Sequence, residues 1–150
     1  MNIRTADRAD APAVNELLSQ LGYPQDDQAA TADRIQRWAD DPSIAAYVAE
    51  ADNAVLGVIA VHVGPFFQRD GSWARIVALV VADRARRRGV ASRLMDAAES
   101  FATAHGCVRI DLNSADHRSD AHAFYENRGY TNQAGSSSRF LRTLPTATAR

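Results

Sequence analysis

The sequence contains no lysine, and this absence limits the chemistry that its side chains can perform. All 17 basic residues of the 150-residue chain are arginine, against 18 acidic residues, which gives a formal net charge of −1. Without a side-chain amine the chain cannot form a Schiff base or become acylated on lysine. The near-neutral balance argues against a strong field that would attract nucleic acid or an anionic membrane.

Cysteine and long apolar runs are equally scarce. The single cysteine, Cys107, excludes an intramolecular disulfide framework and a cysteine-cluster metal site, and no metal site is predicted. No run approaches the roughly 18 apolar residues of a membrane-spanning helix, and residues 1–4 lack the apolar core of a secretory signal. With 46% hydrophobic and 23% charged residues, the composition predicts one globular domain over residues 1–150, cytoplasmic by default.

Apolar periodicity predicts alternating strands and helices. We expect strands at Asn2–Thr5, Ala45–Ala51, Val55–Val63, Trp73–Val81, Val108–Asn113 and Arg139–Leu144, and helices over residues 11–21, 31–39, 89–105 and 119–127. Asp10 is the predicted cap of the first helix, and Asp52 with Asn53 is predicted to form a tight hairpin turn. Trp73–Val81 is nearly continuously apolar and is expected to be buried throughout. This order predicts an α/β or α+β mixed sheet with helices packed on it.

The most informative stretch runs from Leu79 to Ala91, where a strand leads through a glycine-bearing turn directly into a helix. Free backbone amides at a helix start, together with the positive end of the helix dipole, form a ready anion site. Gly89 and Ala91 are small enough for a bulky phosphate to approach the backbone. Physical reasoning therefore predicts a phosphate or pyrophosphate cradle, and it leaves the ligand open.

Four arginines surround this turn, namely Arg84, Arg86, Arg87 and Arg88. Taken alone, such a run is equally compatible with a solvated turn or with a basic patch for nucleic acid or a partner. The strand–turn–helix context favours the anion site instead. Neither the G-x-x-x-x-G-K-S/T loop nor the G-x-G-x-x-G fingerprint occurs, so nucleotide triphosphate hydrolysis and dinucleotide redox chemistry lose their usual supports.

Two segments together resemble the GNAT superfamily of N-acetyltransferases. The first is similar to its acyl-CoA-binding signature, R/Q-x-x-G-x-G/A, through Arg86, Gly89 and Ala91. The second, Ala121–Tyr130, is similar to the family block A-h-x-F-Y-e-x-x-G-F/Y. The two blocks stand in the expected order and separation, and the resemblance extends over roughly residues 2–144.

The resemblance implies a GNAT-like fold with a mostly antiparallel central sheet, a splayed strand pair and about four helices. It implies transfer of an acetyl group from the co-substrate acetyl-CoA to the primary amine of a small molecule or peptide, by direct attack in a ternary complex. In this fold the strand matching Trp73–Val81 is bulged and splays from the strand matching Val108–Asn113. The pantetheine arm lies in the gap. A homodimer is expected by analogy only, and neither nucleic acid nor a membrane is an expected partner.

The same resemblance implies roles for individual residues. The pantetheine would align along the backbone of Leu79, Val80 and Val81, and the pyrophosphate would lie on Arg86, Arg87, Arg88, Gly89, Val90 and Ala91. Tyr125 matches the family tyrosine that protonates the leaving thiolate. A phenol has a pKa of about 10, so it is protonated at pH 7 and can donate.

The sequence also departs from the family. An amine with a pKa of about 10 must lose a proton before attack, yet Trp73–Val81 lacks the glutamate that many members carry there. The remaining candidates for the base are Asp111, Asn113, His62 and His117, beside a water relay or an acceptor of lower pKa. Arg87 stands where many members have glycine. The missing carboxylate keeps a non-catalytic acyl-CoA-binding or regulatory module as the alternative function.

Overall fold

A five-stranded sheet forms the centre of the first of two units in the structure. The computed structural model describes residues 1–114 and 119–146. The chain divides into the units Met1–Asn113 and Ser114–Arg150. The expectation of one domain over the whole chain stays a prediction.

The predicted mixed, mostly antiparallel sheet is confirmed. The strands are β1 (Asn2–Thr5), β2 (Ile44–Ala51), β3 (Ala54–Pro65), β4 (Ser72–Val81) and β5 (Cys107–Leu112), and the α-helices of the described residues are α1 (Ala11–Leu21), α2 (Gln28–Asp40), α3 (Val90–Ala104) and, in the second unit, α4 (Ser119–Asn127). The strands follow chain order in the sheet. The first three pairings are antiparallel, and β4 pairs with β5 in parallel through the crossover helix α3.

The predicted hairpin turn is confirmed in its backbone. Asp52 and Asn53 have φ values of 52° and 62°, so both residues are left-handed. Two successive residues with positive φ match the right-handed twist of the strands that they join. Asparagine and aspartate tolerate this conformation better than other non-glycine residues, which explains why this pair stands between β2 and β3.

The core of the first unit lies where α3 packs across the central strands and α1 packs against β3 and β4. Its largest fully buried side chains include Val48, Ile59, Val61, Leu94 and Met95. Each buried aliphatic side chain of this size stabilises the fold by about 1.5–3 kcal/mol. The sheet that carries the candidate site is therefore held rigidly from within.

Asp10 stands at the predicted N-cap position of α1, but its side chain makes no capping hydrogen bond to that helix. Asp10 is only 5% exposed, and its two carboxylate oxygens accept hydrogen bonds from the Arg4 guanidinium at 2.8 Å each. Asp7 caps the short 3-10 turn Arg8–Asp10 that precedes α1: its side chain accepts from the Ala9 N–H, while Asp10 accepts from the Asp7 N–H. A buried carboxylate gains more from a guanidinium than from one amide.

One strand prediction is wrong, and so is the burial predicted for another strand. Arg139–Leu144 has no regular secondary structure, and Phe140, Leu141 and Leu144 are largely exposed. Two adjacent apolar residues interrupt the alternation there, so neither face of a strand would be apolar. On β4, Val77 is 46% exposed rather than buried, for a reason that lies in the pairing of that strand.

Candidate cofactor site

β4 contains a β-bulge, and its pairing with β5 ends beside that bulge. The register with β3 shifts between Ala60 and Val61, which makes Val77 the extra residue of β4. On the other side, the parallel pairing with β5 ends at Ile76, opposite Leu112. The rest of β4 runs on beyond β5 and leaves one backbone edge open. The expected splayed pair is thereby confirmed.

The register decides which residues of β4 face the open edge. Ala82, directly after β4, donates its N–H to the Leu56 carbonyl on the β3 side at 2.8 Å. In an antiparallel pair, alternate residues direct both backbone groups to the same neighbour. Val80 therefore directs its groups to β3, whereas Leu79 and Val81 direct theirs to the open edge. Of the three residues predicted to align pantetheine, Leu79 and Val81 have backbone groups that face the open edge.

The open edge also carries a contact that sequence reasoning missed. Gln20, in the last turn of α1, donates from Nε2 to the Val81 carbonyl at 2.8 Å. Its Oε1 accepts from the Asp83 N–H at 3.2 Å. One carboxamide thus joins the end of β4 to the first residue of the following turn. The partners lie 61 and 63 residues away along the chain, so no local pattern signals the contact.

The turn after β4 has an unusual backbone. A short 3-10 turn over Asp83–Ala85 leads to Arg87 and Gly89, whose φ values are 63° and 77°. A Cβ added to Gly89 would meet no atom within 4 Å, so the backbone conformation is what favours glycine there. Gly89 is the N-cap of α3 and offers no side-chain cap. The first amides of α3, including those of Val90 and Ala91, lack intrahelical acceptors and can bind an anion.

Positive charge around this turn exceeds negative charge. Arg86 forms an exposed ion pair with Asp83 at 2.9 Å. Within the described residues, no carboxylate lies within ion-pairing distance of Arg84, Arg87 or Arg88. The predicted cradle therefore combines helix amides that lack intrahelical acceptors with the guanidinium groups of Arg87 and Arg88, which have no acidic partner among the described residues, and this combination suits a pyrophosphate.

Two of the candidates for a general base, His62 and Asp111, lie on β3 and β5. Both carboxylate oxygens of Asp111 accept from Arg75, from Nε at 2.8 Å and from Nη2 at 3.3 Å, and the pair raises the pKa of Arg75. The His62 ring packs against Trp38 with centroids 5.0 Å apart, and Asn113 is exposed. His117 lies outside the described residues. Asp111 is thus already neutralised by a cation.

Cys107 begins β5 and is half-buried. Burial raises the pKa of its thiol, which lowers the fraction of nucleophilic thiolate at neutral pH. This environment agrees with a reaction that uses no enzyme nucleophile.

Tyr125 lies on α4 in the second unit, in a cluster of aromatic rings. Its ring centroid is 5.3 Å from that of Phe124 and 6.1 Å from that of Tyr130, both edge-on. Its carbonyl accepts from the N–H groups of Arg128 and Tyr130, which closes the end of the helix. The ring is half-buried and firmly packed, and its role as proton donor stays a prediction.

Among residues 1–114 and 119–146, no three or more His, Cys, Asp or Glu side chains are grouped so as to hold a metal ion. In the same part of the chain, no helix combines the length and apolar character needed to cross a bilayer.

The chain matches known acetyltransferases in sequence. Residues 11–130 match the model of the acetyltransferase (GNAT) family. YhfO of Bacillus subtilis (strain 168), named as an uncharacterized N-acetyltransferase, is 32% identical over 142 residues, which cover 90% of this chain and 93% of that protein. The aminoalkylphosphonate N-acetyltransferase of Salmonella typhimurium (strain LT2) is 30% identical over 129 residues, which cover 85% and 83% of the two chains.

The fold also matches solved structures. The crystal structure of a transcriptional regulator from Bacillus halodurans C-125 superposes with a TM-score of 0.83 at 21% identity, covering 95% of this chain and 99% of that one. At this level of identity, the likeness concerns the fold alone.

Proposed function

The chain belongs to the GNAT family of acetyltransferases, and from this premise we propose that it transfers an acetyl group from acetyl-CoA to the primary amine of a small molecule or peptide. The amine nitrogen attacks the thioester carbonyl directly, in a complex that holds both substrates. A C–N bond forms, the C–S bond breaks, and the thiolate leaves as free CoA after taking up a proton. The observation that carries the proposal is the open edge of β4 leading into a cation-rich helix start.

Each part of that segment has a task in binding acetyl-CoA. The amides of Val90 and Ala91 hold the pyrophosphate, and the arginines around them neutralise its charge. The backbone groups of Leu79 and Val81 pair with the pantetheine arm. Since the arm runs from the start of α3 toward the closed end of the splay, its thioester lies near the bulge at Val77. This route explains why the bulge and the splay occur together.

Proton transfer divides between Tyr125 and water. Tyr125 donates to the leaving thiolate, because an ordinary phenol is protonated at pH 7 and can give its proton to the sulfur as the C–S bond breaks. The acceptor ammonium loses one proton to water before its nitrogen attacks, since β4 carries no carboxylate and Asp111 is held by Arg75, and the proton that the nitrogen loses after attack returns Tyr125 to its neutral form. The amine acceptor is supported by the Salmonella relative, whose name identifies its substrate as an aminoalkylphosphonate.

A second candidate is a non-catalytic module that binds acyl-CoA. The absence of a carboxylate on β4 favours it. The two candidates share the binding site and differ in whether thioester is consumed when an amine is present.

Calorimetric titration with acetyl-CoA, with desulfo-CoA and ATP as controls, tests the binding site. We expect a dissociation constant in the micromolar range for acetyl-CoA and much weaker binding of ATP. No binding below about 1 mM, equivalent to about −4.1 kcal/mol, would contradict the proposal. Release of free CoA thiol is then followed with a panel of alkylamines, aminoalkylphosphonates and peptides. Binding without thiol release from any of them would favour the non-catalytic module.

The role of Tyr125 is tested by Tyr125→Phe, with Tyr130→Phe from the same aromatic cluster as control. We expect kcat to fall by about 10²–10⁴ in Tyr125→Phe, with little change in acetyl-CoA affinity, while Tyr130→Phe keeps most of its activity. A kcat for Tyr125→Phe that equals the wild-type value across the pH range would remove this residue from the mechanism.

A further inference from the structure

We propose that Gln20 is a positioning residue for the binding of acetyl-CoA. The Gln20 carboxamide holds the end of β4 and the start of the following turn, residues 83–89 (the phosphate turn), in the arrangement that the ligand requires. The inference rests on the proposed function, because it concerns the same site. It adds a residue from α1, outside the segments that resemble the family signatures.

Gln20 is presented by a fixed helix end. Val14 and Leu17 anchor α1 in the core, and the helix closes at Gly22, which has a φ of 107°. After it, the Tyr23 N–H donates to the Leu18 carbonyl at 2.8 Å. The last turn of α1 thus cannot drift, and the Gln20 side chain reaches the open edge of β4 from a rigid base.

The two groups that Gln20 binds are those that the sheet leaves without a neighbour. The Val81 carbonyl points to the side where β5 no longer pairs, and the Asp83 N–H begins the 3-10 turn. A primary carboxamide offers one donor and one acceptor in the geometry of a peptide group. Gln20 therefore supplies the hydrogen bonds that a neighbouring strand would otherwise make to these two groups. It leaves Leu79 and the Val81 N–H for pantetheine.

The contact continues from Asp83 into the phosphate turn. The Asp83 carboxylate accepts from the Arg86 guanidinium at 2.9 Å, and the Asp83 carbonyl accepts from the Arg86 N–H at 3.4 Å. Arg86 is the first residue of the predicted pyrophosphate cradle. A chain of bonded groups thus runs from α1 through Asp83 to the residue at which the cradle begins.

The fold needs this contact less than the site does. The core holds α1 and β4 without it, and Gln20 is exposed to solvent. The turn, in contrast, contains a left-handed arginine and several like charges, which disfavour a single ordered conformation. Ordering such a segment at the moment of binding reduces affinity. Loss of Gln20 should therefore appear in acetyl-CoA affinity more than in stability.

Two substitutions separate the two hydrogen bonds. Gln20→Met keeps the length of the side chain and removes both bonds, whereas Gln20→Glu keeps an acceptor for the Asp83 N–H and loses the donor to the Val81 carbonyl. The matched control is Gln36→Met, which replaces another glutamine on a helix surface that bonds a side chain, Asp40, at 3.0 Å.

We expect Gln20→Met to raise the dissociation constant and the KM for acetyl-CoA about tenfold, with kcat at saturating acetyl-CoA and the acceptor KM changed less than about twofold. Gln20→Glu should lie between this variant and wild type, and Gln36→Met should match wild type. In the ligand-free protein, the Asp83 amide should exchange its hydrogen faster in Gln20→Met at an unchanged Tm.

Different results would contradict this inference and the proposed function. Wild-type affinity in Gln20→Met would overturn the inference, and so would tighter binding, which would mean that Gln20 competes with acetyl-CoA for the Val81 carbonyl. A fall in Tm that accounts for the lost affinity would also overturn it, since the role would then be structural. If wild-type protein fails to bind acetyl-CoA, the proposed function itself is wrong and this inference falls with it.

Discussion

Arg4 and Arg87 carry the same charge in opposite surroundings. The Arg4 guanidinium binds the Asp10 carboxylate at 2.8 Å and Glu50 at 3.0 Å, and Asp10 in turn accepts from the Asp7 N–H. Arg87 has no acidic partner within the described residues, and its backbone is left-handed. In the Asp10 corner, defined as Arg4, Asp7, Asp10 and Glu50, every charged group has a partner of opposite charge within the protein. Within the described residues, the turn that we propose as the pyrophosphate cradle has no such acidic partners for Arg84, Arg87 and Arg88.

The difference shows how one residue type serves both stability and binding. In the Asp10 corner, burial acts to raise the pKa of Asp10, but hydrogen bonds from Arg4 and Asp7 outweigh it, so the pKa lies below its ordinary value. The carboxylate is therefore part of the fold. In the phosphate turn, the first amides of α3 and the guanidinium groups of Arg87 and Arg88 keep hydrogen-bond donors for a ligand. The left-handed backbone of Arg87 is the strain that accompanies this arrangement.

The largest effect is expected from Gly89→Val in the phosphate turn. A β-branched residue resists the left-handed backbone that Gly89 adopts, so the start of α3 should rearrange and its amides should lose their common direction. We expect acetyl-CoA affinity to fall about 100-fold, equivalent to about 2.7 kcal/mol, as measured by calorimetry. Gly89→Asn, which tolerates the same backbone, is the control and should lose much less. Equal affinity in Gly89→Val and wild type would mean that the cradle lies elsewhere.

Asp10→Asn should affect the Asp10 corner, and its effect should be smaller than that of Gly89→Val on acetyl-CoA binding. Removing the charged acceptor of Arg4 should lower the free energy of unfolding at pH 7 by about 2 kcal/mol, measured by urea denaturation, and leave the acetyl-CoA affinity of the folded protein unchanged. Because the folded pKa of Asp10 lies below its unfolded value of about 3.9, its contribution is complete above that value and is lost as pH falls through the folded pKa.

The stability difference between wild type and Asp10→Asn should therefore stay constant from pH 7 to about pH 5 and close as pH falls below about 4. A difference that stays open in acid would contradict the assigned pKa direction.

Salt should change acetyl-CoA binding more than the contribution of the Asp10 corner to stability, and this effect should be smaller than those of the two substitutions above. Raising NaCl from 50 to 500 mM should weaken acetyl-CoA binding about fivefold, because solvent-exposed guanidinium groups are screened. The same change should alter the contribution of the Arg4–Asp10 pair much less, since Asp10 is buried. Isothermal titrations and urea denaturations across the salt series give both numbers. Binding that does not respond to salt would argue against a cradle that depends on arginine.

The smallest effect is expected from Arg87→Gly. Relief of the left-handed backbone gains about 1–2 kcal/mol, and the greater freedom of unfolded glycine cancels about 0.5–1 kcal/mol of it. The net result should be a stabilisation of about 0.5 kcal/mol in urea denaturation. Arg88→Gly, at a residue without positive φ, should instead destabilise the protein. If both variants lose stability equally, the backbone of Arg87 is not strained.

Local patterns predicted the parts of this molecule that depend on local conformation. The Asp52-Asn53 turn and the glycine before α3 follow from residues that tolerate positive φ, and the helices follow from apolar spacing. The same patterns predicted a strand at Arg139–Leu144 that does not form, because pairing needs a neighbour as well as suitable residues.

The candidate site divides in the same way. The helix start at Gly89, Val90 and Ala91 could be predicted, since it follows from local pattern, whereas its binding of an anion stays a prediction. The bond from Gln20 to Val81 could not, because it joins residues 61 positions apart through a side chain that carries no helical or strand signal. The N-cap position of Asp10 could also be predicted, but its bond to Arg4 could not, because a guanidinium six residues earlier in the chain leaves no trace in apolar spacing.

The order of the strands has a consequence for how the protein is made. The sheet is laid out in chain order, and four of its five strands precede α3. On the ribosome, those four can pair as they emerge, whereas the crossover that begins with the arginine turn comes last in the first unit. If the turn binds acetyl-CoA as proposed, a nascent chain gains no stability from the ligand until most of its sheet exists, and the finished crossover is then stabilised by mass action.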